Sequence, residues 1–149
     1  MKRRTVLAVL PGLLLASVSS LSQSSAPVVT VYKTPTCSCC GKWVEHLKSN
    51  GFNVKVQEVN DTSPYERRYR VPRQLVSCHT AVVNGYTIEG HVPAAEIKRL
   101  LSERPKIIGL AVGGMPLGSP GMESARAEPY TVQSFDEGGR TSVYARYPR

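Results

Sequence analysis

A mixed α/β (α+β) fold with the element order β-α-β-α-β-β-α, followed by a C-terminal extension, is what this sequence predicts. Three observations carry that expectation. The β-branched run Val28-Val29-Thr30-Val31-Tyr32-Lys33 lies between Pro27 and Pro35 and reads as a buried strand. Apolar residues then change to helical spacing at Trp43, Val44 and Leu47. Further on, Asn84-Gly85 separates two short apolar runs, the strongest short-range hairpin signal.

The remaining elements follow in chain order. The first helix runs from about Cys39 to Asn50, with Gly51 as its stop. Phe52 to Val59 places Phe52, Val54 and Val56 at alternating positions, a second strand. Asn60-Asp61 turns the chain. Ser63-Pro64-Tyr65-Glu66 reads as a capping box with Pro at the first helical position, opening a short helix to about Arg70. Pro72 breaks it. Cys78 to Val83 is the third strand and Tyr86 to Glu89 its return. Pro93 opens a helix in which Ile97, Leu100 and Leu101 share a face, and Pro105 ends it. This order resembles the thioredoxin fold. Beyond it lie the apolar stretch Ile107 to Val112 and a Gly/Pro/Met loop, Gly113 to Met122, expected to pack on the domain. The terminal β-hairpin, Tyr130 to Tyr147, turns at Glu137-Gly138-Gly139.

The N-terminus has the anatomy of a secretory signal peptide. Met1-Lys2-Arg3-Arg4 is basic, Val6 to Val18 is apolar, and small residues follow. The apolar run is shorter than the roughly 20 residues a membrane span needs. The reading is therefore a signal peptide over 1–26, cleaved within 19–26. One domain then occupies 27–149, with a core over 28–104 and the extension over 105–149. An exported, periplasmic protein with no membrane span after signal removal is the expectation. The full chain carries 19 basic and 11 acidic residues, net +8. Loss of Lys2, Arg3 and Arg4 leaves 16 against 11, or +5. Arg67, Arg68, Arg70 and Arg73 cluster around Tyr65 and Tyr69; in an exported protein this reads as a solvated face, not a nucleic-acid surface.

Chemistry is concentrated in sulfur. Three of the four cysteines sit in Cys37-Ser38-Cys39-Cys40, after a strand and at the start of a helix, and the fourth is Cys78. A helix N-terminus offers unpaired N–H groups and a positive dipole end, which favour an anion such as a thiolate. Three sulfurs on one turn cannot staple distant parts of a chain, so a framework of structural disulfides is not expected. Cys37 and Cys40 have the spacing of a redox dithiol, and Cys37 would be nucleophile to Cys40 as resolving thiol in a thiol–disulfide oxidoreductase. That activity needs two thiols, whereas a metal site uses three or four. Thiolates with thioether and imidazole nearby suit Cu(I); zinc would accept four cysteines, or cysteine with histidine. The vicinal Cys39-Cys40 pair fits bridging thiolates around several Cu(I) ions better than one tetrahedral zinc. Met115 and Met122 on the Gly/Pro loop, with His79 and His91, are further candidate ligands; His46 reads as a solvent-facing helix residue.

The segments Val31-Tyr32-Lys33-Thr34-Pro35-Thr36-Cys37-Ser38-Cys39-Cys40-Gly41-Lys42-Trp43, Ser77-Cys78-His79-Thr80-Ala81 and Glu89-Gly90-His91-Val92-Pro93-Ala94 resemble the CopG-like bacterial metal-binding proteins. Gly109-Leu110-Ala111-Val112 and Gly113-Gly114-Met115-Pro116 through Gly121-Met122-Glu123 extend the resemblance, with Gly113 standing where many relatives have Pro. It covers about Val28 to Tyr147. The resemblance implies a periplasmic thioredoxin-like protein that binds copper through Cys37, Cys39, Cys40 and Cys78 and serves copper resistance. The expected function is thus a multinuclear Cu(I)–thiolate site, with Cu(I)/Cu(II) cycling, exchanging copper ions with periplasmic copper-handling proteins. The two rivals are the Cys37/Cys40 oxidoreductase and a zinc-stabilised interaction module.

Overall fold

Val28–Lys33 forms strand β1, and its alternation directs Val29, Val31 and Lys33 inward, as the sequence run implied. The structure is a computed structural model describing residues 26–148, so the signal-peptide reading, apart from Ala26, lies outside the described residues. Helix α1, Ser38–Ser49, starts one residue earlier than expected because Cys37 is its N-cap. The cause is the turn Thr34-Pro35-Thr36-Cys37: the Cys37 N–H donates to the Thr34 carbonyl (3.2 Å), and the Cys37 carbonyl accepts from Gly41 N–H (3.3 Å). Cys40, Trp43, Val44 and Leu47 form its buried face.

Strand β2, Asn53–Glu58, runs parallel to β1. Helix α2, Ser63–Arg68, has Thr62 at its N-cap, which corrects the capping box. The Thr62 hydroxyl donates to Glu66 Oε1 (2.9 Å), while Ser63 is drawn to Asp61 Oδ1 through both its N–H and its hydroxyl. The asparaginyl-aspartyl turn thus competes for Ser63, and the cap moves back one residue. The basic cluster is surface: Arg67, Arg68, Arg70 and Arg73 are exposed, with the Arg68 guanidinium 5.5 Å over the Tyr69 ring.

Strand β3, His79–Val83, pairs antiparallel with β1, and β4, Tyr86–Glu89, pairs antiparallel with β3. Asn84 and Gly85 both have positive φ (47° and 84°), as the two-residue hairpin requires. Helix α3, Ala94–Glu103, follows Pro93. The apolar stretch after it contains a strand that its sequence does not announce. This is β5, Gly109–Ala111, parallel to β4, with only three residues to show a period. The terminal hairpin forms as expected from β6, Tyr130–Phe135, and β7, Thr141–Tyr147. Among the described residues, the seven strands make one sheet in the order β2-β1-β3-β4-β5-β6-β7.

One core cluster joins α1 and α3 to the sheet through Trp43, Leu47, Ile97, Leu100, Leu110 and Val132. Ala111, on the opposite face from Leu110 and Val112, belongs instead to a smaller cluster with Leu75 and Phe135. Each fully buried large aliphatic or aromatic side chain in these clusters contributes about 1.5–3 kcal/mol of transfer free energy. His46, expected in solvent, is half-buried, and its Nε2 accepts from Ala94 N–H (3.1 Å) at the start of α3. An orphan helix-end donor is satisfied by a side chain from the neighbouring helix, a role invisible to local sequence.

Candidate metal centre

The register between β1 and β3 explains why the two cysteine-bearing segments meet. Lys33, the last residue of β1, lies opposite His79, the first of β3. The turn carrying Cys37 leaves the end of β1 just where Cys78 enters β3. The sulfurs of Cys37, Cys39, Cys40 and Cys78 all lie within 4.8 Å of one another. Cys37 and Cys40 form a disulfide with a Cα–Cα separation of 5.4 Å, while Cys39 and Cys78 are free thiols. Cys39 Sγ is 3.5 Å from Cys37 Sγ.

A second donor group shares Cys78. His91 Nε2 is 3.0 Å and His79 Nδ1 3.4 Å from its sulfur, and both rings are fully buried. Burial pushes the Cys78 thiol up to about 12, reinforced by the charge of Cys39 and opposed by the Ser77 hydroxyl (3.8 Å). Burial takes His79 down to about 3, with neighbouring His91 acting the same way. His91 is also lowered by burial, against the Glu123 charge and the Pro120 carbonyl. Both imidazoles are therefore neutral near pH 7 and keep a lone pair for a metal. Among the described residues the donor set is sulfur and imidazole, without a carboxylate, which selects soft and borderline cations over magnesium or calcium.

Met115 and Met122 enter differently. Met115 Sδ is 3.9 Å from Cys39 Sγ, on the solvent side, and the residue is 51% exposed. Met122 closes the loop through its backbone, donating to Ser119 O (2.8 Å) and accepting from Gly118 N–H (2.7 Å). The loop packs on α1, as expected, at Gly121. A Cβ there would lie 2.7 Å from the Cys39 carbonyl oxygen and 3.0 Å from Trp43 N, at a φ of +90°. Trp43 in turn donates from Nε1 to the Val92 carbonyl (2.9 Å) and packs its ring 4.3 Å from that of His79.

Two site neighbours escaped the sequence reading. Ser77 bonds through its hydroxyl to the Gly114 carbonyl, tying the Cys78 segment to the Met115 loop. Glu89 is fully buried, and burial pushes its carboxyl up to about 8, against hydrogen bonds from Ser77 N–H and the Thr80 hydroxyl. The available signal was an acidic residue closing an apolar strand immediately before Gly90-His91.

Fold and site together define a mixed α/β protein with a cysteine–histidine centre suited to a soft metal ion. The family described as "Protein of unknown function, DUF411" matches residues 75–122. The solved structure of a copper resistance protein CopG, form 2, is 44% identical, with a TM-score of 0.79 over 83% of this chain and 99% of that one. Form 1 gives 44% identity and a TM-score of 0.77 over 82% of this chain and 98% of that one. The chain belongs to the CopG family. Among curated proteins there is no match. No helix among the described residues is long and apolar enough to cross a membrane.

Proposed function

We propose that this is a periplasmic copper-resistance protein that holds several Cu(I) ions through Cys37, Cys39, Cys40 and Cys78. The gathering of four sulfurs within 4.8 Å carries the reading. The solved relatives named copper resistance protein support it. His79, His91 and Met115 supply neutral donors at the rim, with Met122 on the same loop. The order β-α-β-α-β-β-α supports a thioredoxin-like core over residues 28–104, bearing the extension 105–149. The leader 1–26 supports export. Copper is cargo here: thiolates bind Cu(I), and a cluster of them permits one-electron exchange with Cu(II). Copper exchange with periplasmic copper-handling proteins is part of the same reading.

Loading requires the Cys37–Cys40 disulfide to open by exchange with an external dithiol, which is oxidised to its own disulfide as Cys37 and Cys40 become thiols. That disulfide also favours a second reading, a thiol–disulfide oxidoreductase using Cys37 and Cys40. Anaerobic Cu(I) titration of the reduced protein separates them. The copper reading expects more than one Cu(I) per chain and damage from either Cys37→Ser or Cys39→Ser. An oxidoreductase loses thiol-exchange activity with Cys37→Ser and tolerates Cys39→Ser. Tight uptake of a single zinc with weak copper binding would instead establish the zinc module.

A further inference from the structure

We infer that Glu89 is a positioning residue for the copper ligands: its buried carboxyl grips the chain on both sides of Cys78-His79 and holds their donor atoms against the cysteine turn. The inference rests on the copper reading above. Glu89 ends β4 opposite Thr80 in the β3–β4 register. One carboxyl oxygen, Oε1, accepts from Ser77 N–H (2.7 Å), and the other, Oε2, accepts from the Thr80 hydroxyl (2.8 Å). The two bonds bracket the dipeptide that supplies the Cys78 sulfur and the His79 ring.

Sheet pairing does not do this work alone. The β3 ladder begins at His79, and the bond from Gly90 N–H to the His79 carbonyl (3.0 Å) is its nearest neighbour. Ser77 and Cys78 precede the ladder, so the carboxyl reaches beyond the last strand pair to fix them. The Glu89 carbonyl also accepts from Val112 N–H (3.0 Å), just before the loop that carries Met115. Side chain and backbone of one residue therefore register the Cys78 segment and the Met115 loop against each other. Residues that orient metal ligands in this way typically cost about 10–100-fold in metal affinity when removed.

The test is anaerobic competition for Cu(I) against bathocuproine disulfonate, using the reduced full-length mature protein. Glu89→Leu and Glu89→Gln are each measured in the native and in the Cys78→Ser background. Glutamine can accept from Ser77 N–H through its amide oxygen and donate to the Thr80 hydroxyl oxygen through its NH2. We expect Glu89→Leu to weaken Cu(I) binding about 10–100-fold, Glu89→Gln to stay within about threefold of the native protein, and the Leu effect to shrink to the smaller part carried by His79 when Cys78 is already Ser. Should Glu89→Leu fail to fold, Thr80→Val removes one of the two bonds without changing side-chain volume, and is read in the same two backgrounds. Unchanged affinity in Glu89→Leu, or in Thr80→Val where Glu89→Leu does not fold, overturns the inference, as does an equal loss with and without Cys78. If Cys78→Ser alone leaves Cu(I) affinity intact, the copper reading itself fails, an outcome distinct from a Glu89 failure in a protein that still needs Cys78.

Discussion

Replacing Gly121 by alanine probes how the Gly/Pro loop is seated on the helix that carries the cysteines. The native φ is +90°, where an L side chain costs about 1–2 kcal/mol. The new Cβ would also meet Cys39 O at 2.7 Å and Trp43 N at 3.0 Å. Both are backbone atoms of α1, so no flexible side chain can swing aside, and forced overpacking adds about 1–3 kcal/mol. Gly139, in the β6–β7 turn, has a φ of +73° with nothing within 4 Å of a built Cβ. Gly139→Ala therefore carries the backbone cost alone. The difference between the two variants should be about 1–3 kcal/mol, or about 4–12 °C in Tm for a domain of this size. Circular dichroism melts of both metal-free, reduced proteins measure it. Equal melting temperatures within about 2 °C would refute the close approach of loop and helix.

Other outcomes follow from the buried groups. Glu89 rises from its ordinary 4.5 to about 8, so the folded state holds a proton that the unfolded chain releases, and stability falls with rising pH across that window. His79 falls from 6.5 to about 3, so there the unfolded chain holds the extra proton and stability rises with pH. The two slopes oppose each other between 4.5 and 6.5, leaving a net loss of about 2 kcal/mol between pH 6.5 and 8. Urea unfolding of the metal-free protein should show it, and Glu89→Gln should flatten it; an unchanged slope in that variant would contradict the assignment. Trp43→Phe strands the buried Val92 carbonyl and should cost about 2–4 kcal/mol; a change below about 1 kcal/mol in chemical denaturation would show that the bond is unimportant. Because Cys78 is pushed up to about 12, Cu(I) binding must displace its proton. Apparent affinity should therefore climb about tenfold per pH unit for each proton released, and a flat profile from pH 6 to 8 would exclude Cys78 as a thiolate ligand.

Much of this architecture is local and was legible. The β-branched run at Val28–Lys33, the helical spacing of Trp43, Val44 and Leu47, and Asn84-Gly85 each encode an element through the conformational limits of their own side chains. The cysteine turn was equally visible, since its placement at a helix start needs only Pro35 and the strand before it. Strand β5 was not, because Gly109–Ala111 is too short to display a period and is a strand only by virtue of β4 and β6 on either side.

What the amino-acid sequence determined by itself was the inventory: four thiols, neutral-capable imidazoles, a Gly/Pro loop and the elements that carry them. Tertiary structure alone decided which of these meet. Cys40 and Cys78 are 38 residues apart, and only the antiparallel register that sets Lys33 against His79 brings their sulfurs within 4.8 Å. The same is true of His46 on Ala94, Met115 on Cys39, and Glu89 on Ser77 and Thr80. Contacts between distant segments depend on strand order and register, which are properties of the whole sheet and of the core that buries it; no short window of sequence contains them.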